Sequence, residues 1–132
     1  MDAATIDHVN LKIPADGVDD ALAFYRDGLG FEADRLDAYE SGEKPFFAIR
    51  LTDENVLHLW PDDSFDPPTG TNFDHVAVRL DESIADVKAT LDAAGIDVDR
   101  EFEPLGATGT APAVYVEDPF GYRLELKART EG

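Results

Sequence analysis

The stretch DHVNLKI at residues 7–13 returns sixty-seven positions later as DHVAVRL at 74–80. Asp7, His8 and Val9 recur as Asp74, His75 and Val76, and Leu11, Lys12 and Ile13 recur conservatively as Val78, Arg79 and Leu80. The same offset lays VLHL (56–59) on RLEL (123–126), which puts His58 on Glu125, and FFAIRL (46–51) on AVYVED (113–118). A near-constant offset over some fifty residues makes the chain two structural copies of one unit, and this constrains the fold more than any composition figure. The segment PDDSFDPPTGTN (61–72), rich in Pro, Asp and Gly, is expected to link them. Module 1 then covers about 5–60 and module 2 about 74–128, both within one domain spanning 1–132.

Each copy parses in the same order. Residues 5–13 alternate as a strand, and Val18, Leu22 and Tyr25 recur at helical spacing over 18–28, with Gly28 and Gly30 ending the helix. Strands are expected near 31–38, 46–51 and 55–60. The second copy gives a strand at 74–80, a helix at 83–94 carried by Ile84, Val87 and Leu91, and strands near 96–101, 113–117 and 122–128. The fold class is therefore α+β, two tandem βαβββ modules forming curved sheets. EPLGATGTA (103–111) has no periodicity and is expected to be a mobile loop over a site.

Strand phase sorts the polar residues. Side chains alternate between the two faces of a strand. Val9, Leu11 and Ile13 share one face, and His8, Asn10 and Lys12 share the other. Leu57 and Leu59 oppose Val56, His58 and Trp60; Leu124 and Leu126 oppose Arg123, Glu125 and Lys127. All three histidines of the chain and one glutamate thus fall opposite the apolar faces, and they line a concave side if the strands belong to one curved sheet.

Charge and composition exclude several classes of function. The chain carries 29 acidic against 11 basic residues, a net charge of −18, which repels nucleic acid and anionic lipid. The acids are scattered and only four lysines are present, a pattern expected of a solvated shell suited to high salt rather than a groove for a cationic ligand. No apolar run is long enough to span a bilayer, and MDAATIDHV has no signal-peptide pattern, so a cytoplasmic location is expected. Without cysteine there are no disulfides, thiolate ligands or cysteine nucleophile. Ser41, Ser64 and Ser83 lack a paired histidine on a suitable turn, and GATG at 106–109 lacks the lysine and following helix of a phosphate loop.

Paired βαβββ modules, DHVNLKI, ALAFYRDGLGFE, DHVAVRL and above all DPFGYRLEL (118–126) resemble the vicinal oxygen chelate superfamily, which includes glyoxalases, extradiol dioxygenases and bleomycin-resistance proteins. The resemblance covers nearly the whole chain; its motifs are specific for the superfamily and weak for the reaction. It implies metal ligands from the first and last strands of each module, which here are His8, His58, His75 and Glu125. Glyoxalase-like relatives often hold Glu where this chain has His58. Three imidazoles and a carboxylate independently suit one divalent Zn, Ni, Co, Fe(II) or Mn with room for water or substrate.

The resemblance further implies a glyoxalase-type lyase or isomerase, in which the metal holds vicinal oxygens and carboxylates move a proton across an enediolate. Glu125 is the one carboxylate of the four candidates and is the expected catalytic base. The runner-up is an Fe(II) extradiol dioxygenase, which requires His58 as a separate catalytic group; the third reading is a non-catalytic antibiotic-binding protein. A small-molecule substrate and a homodimer are the partners implied. Trp60 is a candidate pocket wall, and Asn10, Lys12, Arg79, Arg123 and Lys127 share the ligands' side, where ion pairs with Asp or Glu are the expected use of the cations.

Overall fold

In the computed structural model, which describes residues 1–130, the chain divides into two compact units, Met1–Asp66 and Pro67–Gly132. The first contains β1 (His8–Pro14), α1 (Val18–Ala21), β2 (Glu32–Asp34), α2 (Leu36–Glu40), β3 (Phe47–Arg50) and β4 (Val56–Asp62). The second contains β5 (Val76–Arg79), α3 (Ile84–Ala94), β6 (Arg100–Phe102), the two-residue strands β7 (Leu105–Gly106) and β8 (Gly109–Thr110), β9 (Ala113–Glu117) and β10 (Arg123–Lys127). The expected α+β class and doubled βαβββ order are what is observed.

The two sheets have one topology. Unit 1 is ordered β1-β4-β3-β2 and unit 2 β5-β10-β9-β6, with the first pair of each parallel and the rest antiparallel. The repeat extends to register: Asn10 faces His58, which faces Ala48, and sixty-seven residues on Ala77 faces Glu125, which faces Tyr115. Only the outer strand breaks it. Asp34 faces Ala48, whereas Tyr115 faces Arg100, one residue short of the repeat.

The apolar faces lie where alternation places them. Along β1, Leu11 and Ile13 are buried while His8, Asn10 and Lys12 are exposed. Leu57 and Leu59 of β4 and Phe47 and Ile49 of β3 join Leu22, Phe24 and Tyr25 in the core of unit 1. In unit 2, Val114, Val116, Leu124 and Leu126 are buried together with Val87 and Leu91 of α3. That helix is well delimited. Ser83 Oγ accepts from Asp86 N at 3.1 Å, and Gly95 at φ 70° terminates it in the left-handed conformation that glycine adopts at least cost.

Three segments differ from the sequence expectation. The helix expected over 18–28 is α only to Ala21, then widens to a π-helix over Leu22–Gly28, with Leu29 N donating to Phe24 O. The inserted turn presents the adjacent pairs Ala21–Leu22 and Phe24–Tyr25 to the core, a wider stripe than one residue in three or four. The strand expected over 31–38 stops at Asp34, because Arg35 turns left-handed at φ 60° and starts α2. The segment 103–111, expected as an unstructured loop, holds the β7–β8 hairpin, to which the buried Lys127 is tied by an Nζ bond to Gly109 O.

Candidate functional site

Unit 1 offers a histidine pair. His8 begins β1, and His58 sits in β4 directly opposite Asn10, two residues along the same face. The rings stack with centroids 4.3 Å apart and planes at 26°. Phe46 covers the other flank of His58 at 4.4 Å and stacks in turn on Trp60 at 5.3 Å. Burial in this aromatic row, with the neighbouring His8 adding to it, pushes the His58 imidazole below its usual pKa, so it stays neutral and a competent ligand to lower pH.

Unit 2 offers a histidine–carboxylate pair. His75 immediately precedes β5, and Glu125 is central in β10, 6% exposed. His75 Nε2 lies 3.3 Å from Glu125 Oε1, and the Tyr115 ring closes one side, 5.3 Å from the imidazole. Glu125 is carried there by the turn before β10. The buried Asp118 Oδ1 accepts from Phe120 N at 2.9 Å and Tyr122 N at 2.8 Å, and Gly121 takes φ 97°. This is the physical content of the motif DPFGYRLEL: an acid that folds the turn, a glycine that permits it, and a strand that delivers the second acid inward.

The nitrogens are not equivalent. Nδ1 of His8 is 2.8 Å from Asp7 Oδ2, and Nδ1 of His75 is 2.5 Å from Asp74 Oδ2. The hydrogen bond from His75 holds the Asp74 carboxyl below the usual range, with Arg123, 3.9 Å away, a smaller contributor. An ionised carboxylate only accepts, so Nδ1 carries the hydrogen and Nε2 of a neutral ring presents a lone pair. In His75 the Nε2 atom faces a carboxylate oxygen, Glu125 Oε1. Two acceptors at 3.3 Å repel unless a proton or a cation lies between them.

The expected ion pairs form at two of the other candidates on this side, Lys12 and Arg123. Lys12 pairs with Asp62 at 3.2 Å, and Arg123 approaches Asp74 and lies over the Tyr115 ring at 5.0 Å. Lys127 is buried on the hairpin carbonyl, while Asn10 and Arg79 are exposed on their strands. The roles of Asp7, Asp74, Phe46 and Tyr115 were not assigned from sequence, although the repeated Asp-His dipeptide was the signal for the first two. Among the described residues, no group of three or more His, Asp or Glu side chains is placed to hold a metal ion; the structure brings His8 against His58 and His75 against Glu125.

A doubled βαβββ chain with a two-donor cluster at equivalent places in each copy defines a class of protein. The chain belongs to the Glyoxalase/Bleomycin resistance protein/Dioxygenase superfamily, whose family model matches residues 5–126. A Synechocystis protein named "Probable lactoylglutathione lyase" is 34% identical over 115 residues, covering 83% of this chain and 85% of the relative. A Vibrio parahaemolyticus protein of the same name is 30% identical, covering 96% and 91%. The crystal structure of a glyoxalase family protein from Enterococcus faecalis matches with a TM-score of 0.68 at 24% identity, covering 93% of this chain and 96% of the other, a likeness of fold alone. No helix among the described residues is long and apolar enough to cross a membrane.

Proposed function

We propose that this chain is a divalent-metal-dependent enzyme of the glyoxalase, lactoylglutathione lyase-like, type, which transfers a proton on a small substrate chelated through vicinal oxygens. The observation that carries the reading is the 3.3 Å approach of His75 Nε2 to the buried Glu125 carboxylate, with the stacked imidazoles of His8 and His58 at the repeat-equivalent positions of the other module. The donor chemistry fits a divalent ion. Three imidazoles and one carboxylate suit a borderline cation, and such an ion would bridge the close approach of His75 Nε2 and Glu125 Oε1. His8, His58, His75 and Glu125 are the residues that would hold it, within one chain or across two copies in a homodimer.

When bound, the metal supplies Lewis acidity toward two adjacent substrate oxygens. The chain's own groups do the rest. Glu125 is the proposed base, since it is the carboxylate of the set and lies buried beside His75. Phe46 and Trp60 on one module and Tyr115 on the other supply flat apolar walls beside the donors, suited to exclude water and orient a small organic substrate. The relatives' names favour a thiol-derived hemithioacetal as substrate over a catechol.

The test is elemental analysis of untagged protein followed by turnover assays. The reading expects one divalent ion per four-donor set and thioester formation from hemithioacetals. Oxygen uptake with a catechol would instead support the Fe(II) dioxygenase reading, and metal-free protein that binds a cationic antibiotic the non-catalytic one.

A further inference from the structure

We infer that Asp7 and Asp74 are matched positioning residues, each fixing the tautomer of the histidine that follows it so that Nε2, not Nδ1, is the ligating atom. The inference deepens the proposed metal site and rests on it for its consequence, though not for its geometry. The two dyads occupy equivalent positions of the duplicated fold and make the same bond, Nδ1 to the preceding carboxylate, at 2.8 and 2.5 Å. Neither the fold nor packing demands an acid there: Asp7 and Asp74 side chains are 88% and 69% exposed. Their distinguishing contact is the imidazole.

The chemistry follows from the tautomer equilibrium. A free neutral imidazole of histidine prefers its hydrogen on Nε2, which would cover the lone pair that the proposed site needs. A carboxylate on Nδ1 reverses that preference, fixes the ring plane and makes Nε2 a more basic donor. In unit 2 both ring nitrogens face carboxylates, Nδ1 at 2.5 Å from Asp74 and Nε2 at 3.3 Å from Glu125, and the shorter bond makes Nδ1 the donor. The dyads also differ in one respect. Arg123 lies 3.9 Å from Asp74 and restrains its carboxylate, whereas Asp7 is the more exposed of the two acids. The second module's dyad is accordingly the more rigid, and its loss the more costly.

Long-range proton–nitrogen NMR of metal-free protein at alkaline pH, where the rings are neutral, reads the tautomers directly. Only three histidines must be assigned. His8 and His75 are expected to show a non-protonated Nε2 in the wild type, to keep it in Asp7→Asn and Asp74→Asn, which retain an acceptor, and to move toward Nε2–H in the two Ala variants. Zn(II) titrated against a chromophoric competitor should bind about 10- to 100-fold more weakly to Asp74→Ala, less weakly to Asp7→Ala, and with a partial recovery in the Asn variants. Wild-type rings protonated on Nε2, or Ala variants with unaltered tautomer and Zn(II) affinity, would overturn the inference. A wild type with the expected tautomers that takes up no metal leaves the dyads as assigned and removes the metal reading alone.

Discussion

His75 Nε2 stands 3.3 Å from Glu125 Oε1, while the opposite nitrogen of the same ring is engaged by Asp74. A buried carboxylate, 6% exposed, and an imidazole nitrogen therefore share a close contact that a proton or a cation can bridge. The contact is stable only with a positive charge between the two groups, and the proposed metal provides it.

Replacing the donors should separate them by position. His8→Ala and Glu125→Ala are expected to abolish tight binding of Zn(II) or Co(II), whereas His58→Ala only weakens it, because His58 sits deeper in the aromatic row and departs from the carboxylate often found at that place. Calorimetric titration of each metal-free variant measures this. Equal losses from all three would assign His58 the same weight as the others.

In metal-free protein, His58 should also confer a pH dependence on stability. Its folded-state pKa lies below the ordinary value of 6.5, with burial as the main cause, so the unfolded chain binds the proton more readily. Stability associated with this residue is whole above the unfolded pKa and declines as pH falls through the histidine range toward the lower folded value. Between about pH 8 and about pH 5, the urea midpoint of wild type should fall more than that of His58→Phe. Parallel curves would show that His58 contributes no such linkage.

Asp118 should matter for the site through the turn it shapes. Its buried carboxylate accepts from Phe120 N and Tyr122 N and so shapes the turn that launches β10. Asp118→Ala leaves those amides without that acceptor, at a cost of about 2–3 kcal/mol, and should lower metal affinity by letting Glu125 shift. Asp118→Asn, which keeps one acceptor, should lose less on both counts. Thermal melts and metal titrations on the same preparations provide the check.

Arg35 tests the break between β2 and α2. At φ 60° a side chain is disfavoured by about 1–2 kcal/mol, and glycine relieves that strain while raising unfolded-state entropy by a comparable amount. Arg35→Gly should be near neutral in stability, and Arg35→Val should destabilise by at least about 1 kcal/mol. Chemical denaturation distinguishes them; a Val variant as stable as wild type would contradict the strained turn.

What the sequence disclosed followed from duplication. An offset of sixty-seven implies equal registers, and the structure holds them in the three inner strands of each sheet, where apolar alternation fixes which face is buried. The outer strands are three residues long, too short for a pattern to set, and there the register slips by one. The π-helix was not legible because 18–28 carries apolar residues that satisfy an ordinary helical period equally well. The left-handed Arg35 has no glycine or asparagine to signal it. The approaches of His58 to His8 and of Glu125 to His75 were legible from alternation, while the Asp–His bonds depend on side-chain rotamers that no periodicity encodes.

The central claim, that His8, His58, His75 and Glu125 together hold one divalent cation, is tested most directly by titrating metal-free, untagged protein with Co(II) and recording its visible absorption. Saturation is expected at one ion per set of these four residues, with a spectrum of imidazole and carboxylate ligation that Glu125→Ala abolishes. Saturable binding with the same stoichiometry and spectrum in Glu125→Ala, or no binding in the wild type, would contradict it.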